Sequence, residues 1–217
     1  MKPCFATAFP LVDATEADWA VVCARLQALY SPLRKPLSLS FLDDLRFSLR
    51  RQELSKGTLL VAYGNYADRV YFLSRGSAAA YGGPGRDDPL LWIRRSGDFI
   101  LPEGLLTRQR SDGAVFIEED AVCLSLSAER YLSLCGQYDD ADKLTILWLL
   151  DVKAREQGRH AALAEARTVA DKIRWLLGQW DDAFAVFPDG VLASYLGTTR
   201  EWLNKQKEEG FRLHRSR

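Results

Sequence analysis

Histidine is nearly absent, and its placement removes one chemistry at once. No histidine lies between Leu54 and Ser127, so the glycine-rich middle of the chain cannot be a metal barrel, which needs two or three histidines and a carboxylate. No paired nucleophile and base stands out either, and no enzyme is expected. The four cysteines, Cys4, Cys23, Cys123 and Cys135, include no C-x-x-C pair. They suggest neither a zinc site nor a disulfide scaffold and read as idle thiols in a reducing compartment. No cofactor and no metal are expected.

Long apolar runs are missing too. None approaches eighteen residues, and the N-terminus is cut by Pro10 and Asp13, so a cytoplasmic protein with no membrane partner is expected. Charge of one sign is not in excess, since 29 Lys and Arg balance 29 Asp and Glu. A nucleic-acid surface would therefore have to be local. The chain of 217 residues is long enough for one large or two modest domains, and its 47% hydrophobic and 27% charged residues are those of an ordinary soluble protein.

Apolar residues recur at helical spacing from Glu16 to Tyr30 (Trp19, Val22, Cys23, Leu26, Leu29), and Pro32 and Pro36 then break the pattern. A second helix is predicted over Ser40 to Arg50. From Leu54 to Ser127 the texture becomes short apolar segments: Thr58 to Tyr63, Val70 to Leu73, Ser77 to Tyr81, Leu90 to Ile93, Ala114 to Ile117 and Val122 to Leu126. Glycines 57, 64, 76, 82, 83, 85, 97 and 113 punctuate them. That rhythm predicts an antiparallel roll.

Ser127 can cap a short helix from Ala128 to Cys135. After a polar break at Gln137 to Asp140, Lys143 to Ala166 reads as one helix of about 24 residues and about 36 Å, longer than one roll can cover. A dimer seam is inferred along Leu144, Leu147, Trp148, Ala154, Gly158 and Ala161, the small residues allowing close approach of a second helix. A helix at Val169 to Trp180 opens the last domain.

In the stretch VLASYLGTTREWLNKQK, Val191, Leu192 and Leu196 form an apolar face, Gly197 gives a sharp turn and Thr199 is a natural N-cap. Arg200, Glu201, Asn204 and Lys205 would lie outward on the next helix, able to meet base edges and phosphates. An ordinary helical hairpin has the same spacing. From Val191 onward, Arg200, Lys205, Lys207, Arg212, Arg215 and Arg217 face only Glu201, Glu208 and Glu209, a modest basic excess.

The order of roll, long helix and helix-turn-helix, carried by VYFLSRGSAAAY, LLWIRRSGDF, AVCLSLSAERY and LASYLGTTREWL, resembles the Crp/Fnr superfamily of transcription regulators, most nearly its short-tailed branch without a wing hairpin. The resemblance implies an α+β fold: a helical lead-in (1–53), a β-roll of the cyclic-nucleotide-binding, jelly-roll type (54–136), a long dimerisation helix (137–166) and a helix-turn-helix domain (167–217). It implies a homodimer reading an inverted repeat in double-stranded DNA, with RNA polymerase as a further partner. On that resemblance the base-reading positions are Arg200, Glu201 and Lys205, with Thr199 at a phosphate. Gln206 stands where an apolar residue is usual, which leaves Trp202 and Leu203 to anchor the helix and its end open to fraying.

The same resemblance places a ligand cassette at Gly97, Asp98, Phe99, Glu103, Gly104, Arg110 and Ser111. The family's glutamate position falls on Pro102 and its arginine on Ser111 or Asp112, unless a register shift brings in Glu103, Arg110 and Ser111. A buried phosphate needs a cation. Cyclic AMP is therefore not expected to bind in the usual way, and the roll either binds nothing or takes another, apolar effector. An iron–sulfur cluster would want clustered cysteines, and His160 and His214 read as solvated or capping rather than haem-ligating. The competing reading is a dimeric interaction or ligand-sensing module whose helix-turn-helix has decayed.

Overall fold

The structure, a computed structural model, describes residues 5–215 apart from the side chains of Glu103 and Leu213. Cys4 and Arg217 thus lie outside the described residues. The chain forms two compact units, one up to Asp151 and one from Val152.

The first unit opens with a short strand β1 (Val12–Asp13) and the helices α1 (Glu16–Tyr30) and α2 (Leu39–Ser48). A capping box starts α1: the Thr15 hydroxyl oxygen accepts from the Asp18 N–H at 3.2 Å, and the Asp18 carboxylate accepts from the Thr15 N–H at 3.0 Å. Val22, Leu26, Leu29 and Tyr30 are buried, while Trp19 and Cys23 are half-buried. The second helix stops short of the expected Arg50, because that residue is taken into strand β2 (Arg50–Leu54).

Five further strands follow: β3 (Leu59–Val61), β4 (Arg69–Tyr81), β5 (Leu90–Arg95), β6 (Phe99–Ile100) and β7 (Ala114–Ser127), with a one-turn helix α3 (Glu103–Thr107) between the last two. All pair antiparallel in the order β1-β2-β7-β4-β5, with β3 also on β7 and β6 on β4. Two pairs of expected short strands each prove to be one long strand. The reason is Gly76, where the β4–β7 register shifts but pairing continues.

Gly76 has φ +92°, and a Cβ there would sit 2.8 Å from the Ala121 backbone. The bend therefore needs glycine twice over, for the backbone angle and for the space. Gly76→Ala should lower unfolding stability by more than about 1 kcal/mol, read as a lower urea midpoint. An unchanged midpoint would mean that the bend tolerates a side chain.

Inside the roll, alternate residues of β4 and β7, among them Tyr71, Leu73, Ala78, Ala80, Ile117 and Cys123, form an apolar core with Leu54, Leu60 and Ile100. The residues between them, such as Phe72 and Leu124, meet the helices instead. Ser127 caps helix α4 (Ala128–Gln137) by accepting from the Arg130 N–H at 3.2 Å. The long helix α5 (Asp139–Glu165) starts four residues before the expected Lys143, since Asp139, Asp140 and Asp142 are favourable at a helix N-terminus.

Up to Asp151, α5 has two apolar sides. Ala141, Leu144 and Trp148 are buried in the first unit and Leu147 is half-buried, whereas Ile146, Leu149 and Leu150 remain 57%, 45% and 56% exposed. Leu144 and Trp148, expected in the seam, are thus buried in the core of the first unit. Burial against the sheet and helices takes precedence over an external partner.

The second unit holds the end of α5 and the helices α6 (Val169–Gln179), α7 (Ala183–Val186), α8 (Asp189–Tyr195) and α9 (Arg200–Arg215). Thr168 and Asp171 form a second capping box at the start of α6. Its core is Ile173, Leu176, Leu177, Leu192, Leu196 and Leu203, all buried. On this part of α5, Ala154, Gly158 and Ala161 are exposed, as is His160.

Candidate nucleic-acid interface

The turn between α8 and α9 is closed by backbone alone. Gly197 takes φ +60°, its N–H donates to the Ser194 carbonyl at 3.1 Å, and the Thr198 N–H donates to Ala193 at 2.9 Å. This is a Schellman closure, which favours glycine at the left-handed position. Lys172 Nζ on α6 donates to the carbonyls of Leu196 and Gly197 at 3.0 and 3.3 Å. The turn is thereby fixed to the helix beneath it.

Thr199 then caps α9, its hydroxyl oxygen accepting from the Trp202 N–H at 3.3 Å. Leu203 is fully buried, and Gly210 is buried one crossing further on. A Cβ on Gly210 would lie 2.4 Å from Ile173 Cγ2, so this glycine sets how closely α9 approaches α6. Phe211 packs on Phe184 with ring centres 5.2 Å apart, and Lys207 Nζ pairs with Asp189 at 2.9 Å.

On the other side Arg200, Glu201, Asn204 and Lys205 are all exposed, and Glu208, Arg212 and Arg215 continue the face. Lys205 Nζ lies 4.8 Å over the Trp202 ring. The Glu201 carboxyl is held below the usual carboxylate range, first by its own backbone N–H and then by the Thr199 hydroxyl.

Two expectations about this helix are corrected. Trp202 is 52% exposed and does not anchor it; Leu203, Gly210 and Phe211 do. Nor does α9 fray after Gln206, since it continues to Arg215. A glycine and an aromatic, seven and eight residues beyond Leu203, were the available signal for this longer buried stripe. Among the described residues no strand follows α9.

The residues expected to cradle a ligand serve other contacts. Gly97 makes a turn with φ +87°, its N–H donating to the Leu73 carbonyl at 2.7 Å. Asp98 faces Arg25, at 4.0 Å, and Arg25 pairs with Asp151 of α5 at 2.8 Å. Phe99 packs on Phe72 with ring centres 4.8 Å apart, on the helical side of the sheet.

Gly104 is required by the Gln109 carbonyl, which a Cβ would approach to 2.3 Å. Arg110 is exposed, donates to the Gly64 carbonyl at 3.0 Å and lies 5.3 Å from the Tyr66 ring centre. Ser111 donates to the Gly113 carbonyl at 2.7 Å. The Glu103 side chain lies outside the described residues. Asp98 and Phe99 thus turn to the helices, while Arg110 is held at an exposed loop.

An antiparallel roll carried on lead-in helices, with a long helix leaving it, is the architecture of a cyclic-nucleotide-binding domain, and residues 51–138 match the cyclic nucleotide-binding domain family. The fold is also similar to that of several solved structures that span most of the chain. A putative cyclic nucleotide-binding protein from Ruegeria pomeroyi is similar at 16% identity and TM-score 0.62, over 90% of this chain and 87% of that one. FixK2 from Bradyrhizobium japonicum is similar at 17% identity and TM-score 0.60, over 74% and 83%.

The c-di-GMP responsive global regulator CLP of Xanthomonas campestris is similar at 18% identity and TM-score 0.58, over 80% and 93%. The chain also spans 44% of the cAMP-bound PfPKA-R fragment, to which it is similar at TM-score 0.49. At these identities the likeness is one of fold. No curated protein matches the sequence. Among the described residues no helix is long and apolar enough to cross a membrane.

Proposed function

We propose that this chain is a homodimeric, DNA-binding transcription regulator of the Crp/Fnr type, whose roll does not bind a cyclic nucleotide in the usual way. The observation that carries the reading is the two-sidedness of α9. One side carries the buried Leu203 and sets Gly210 against Ile173 of α6, and the other presents Arg200, Glu201, Asn204 and Lys205 to solvent. Arginine near the start of such a helix suits the N7 and O6 acceptors of guanine, and Glu201 suits the amino donor of cytosine.

Lys205, set against the Trp202 ring, suits guanine or a phosphate without the bidentate geometry of arginine. The N-terminus of α9 at Thr199 suits a phosphate. A second copy joins along the outer side of α5, where Ile146, Leu149, Leu150, Ala154, Gly158 and Ala161 are exposed. Of the residues first expected in the seam, the small ones remain, and the outer leucines and isoleucine replace Leu144 and Trp148.

Selection of bound duplexes from a random library, by the purified protein at a fixed salt concentration, tests this reading. The expected product is a palindrome whose half-sites lie about one helical turn, 10–10.5 base pairs, apart. Adding cyclic AMP should leave the enrichment unchanged. No enriched sequence, with or without the nucleotide, would leave the decayed-reader alternative.

A further inference from the structure

The largest side chain of α9 is one that its packing does not use. Leu203 is fully buried, Gly210 lies against Ile173 of α6 and Phe211 packs on Phe184, so the helix is held without Trp202, which is 52% exposed. The backbone of Trp202 serves the fold, since its N–H donates to the Thr199 hydroxyl. The indole is left over.

Trp202 is the third residue of α9, next to Glu201, and Lys205 follows one turn later with its Nζ 4.8 Å over the ring. A cation so placed is attracted to the ring face, which makes the lysine and the indole one unit. From Arg200 to Lys207 every other side chain that reaches the surface is charged or an amide, so Trp202 is the single apolar group there. A lone apolar residue on a surface calls for no explanation by itself. Its company supplies one, because it shares the first two turns of α9 with the four side chains that suit base edges and phosphates.

The major groove of DNA offers donors and acceptors to such polar side chains, and one apolar group besides, the C5-methyl of thymine. Brought together, a methyl and an exposed indole both leave water, which is favourable in proportion to the apolar area covered. Cytosine at the same position lacks the methyl and presents an amino group. We propose that Trp202 is a further specificity-determining residue, whose indole covers one thymine methyl in each half-site. The proposal rests on the reading of α9 as a recognition helix, and adds to it a preference for thymine that the polar residues do not supply.

The test uses the full chain and the duplex it selects, with each thymine replaced singly by deoxyuridine, which removes the methyl and keeps the hydrogen-bonding edge. Affinities are compared at one salt concentration for the unmodified chain, Trp202→Ala and Trp202→Phe. At one thymine of each half-site, deoxyuridine should weaken binding of the unmodified chain about fourfold, and about 15-fold with both half-sites replaced, as burial of one methyl-sized group apiece implies. Trp202→Ala should bind thymine and deoxyuridine duplexes alike, whereas Trp202→Phe should keep part of the discrimination. Both variants should melt with the unmodified chain, since the position is exposed. Should Trp202→Ala fail to fold, Trp202→Gln takes its place.

A selected half-site without thymine, a scan in which no deoxyuridine matters, or a penalty that persists in Trp202→Ala would overturn the proposal. Weakening of Trp202→Ala by the same factor on every duplex would do so too, and would leave the indole only as a support for Lys205. If the library yields no enriched duplex, the reading of α9 fails and this proposal falls with it. An enriched duplex without a methyl effect removes Trp202 alone.

Discussion

Arg200→Ala is expected to bind the selected duplex about 5- to 150-fold more weakly, a loss of about 1–3 kcal/mol, and to blur the preference at one base pair of each half-site. The effect is confined to recognition because Arg200 is exposed at the first position of α9, while what holds the helix, the buried Leu203, Gly210 against Ile173 of α6 and the Schellman turn at Gly197, is untouched. Its melting temperature should match that of the unmodified protein. Lys205→Ala gives a useful contrast. If its ammonium meets a phosphate, affinity falls evenly across sequences and the salt dependence drops by about one counterion. An Arg200→Ala profile that coincides with the unmodified one at every position would remove Arg200 from the reading surface.

What the sequence made legible, and what it did not, follows from where each signal is stored. Helices α1 and α6 announce themselves locally, through apolar residues at helical spacing behind Thr15 and Thr168, and the structure forms them almost as read. The helix-turn-helix is equally local, since Gly197 and Thr199 supply the turn and the cap. Strand number was not local: Gly76 interrupts the apolar pattern without interrupting the ladder, so β4 reads as two strands and pairs as one. The cassette misled in another way. Gly97, Asp98 and Phe99 have the right order along the chain, but Asp98 faces Arg25, far earlier in the sequence, and Arg25 in turn pairs with Asp151, far beyond the cassette. Only the fold brings them together.

The same limit applies to the proposed seam, and yields the larger effect. A run apolar at Leu144 and at every position from Ile146 to Leu150 does not say which side meets which partner, and only the packed structure divides it into Leu144 and Trp148 within the protomer and Ile146, Leu149 and Leu150 outside. Truncating Trp148 would remove a buried indole at a cost of about 3–5 kcal/mol, and so would test folding rather than association. Ile146→Glu with Leu150→Glu instead alters only exposed positions, where a substitution changes protomer stability by about 0.5 kcal/mol or less. It places four carboxylates, two from each copy, across a symmetric helix pair. That double variant is expected to be a folded monomer by light scattering and circular dichroism. It should also lose the advantage of engaging two half-sites at once, worth about 100- to 10,000-fold in affinity. A double variant that remains dimeric would move the seam off this side of α5. One that is monomeric yet binds the palindrome undiminished would separate dimerisation from recognition, and leave a single α9 as the whole of the reader.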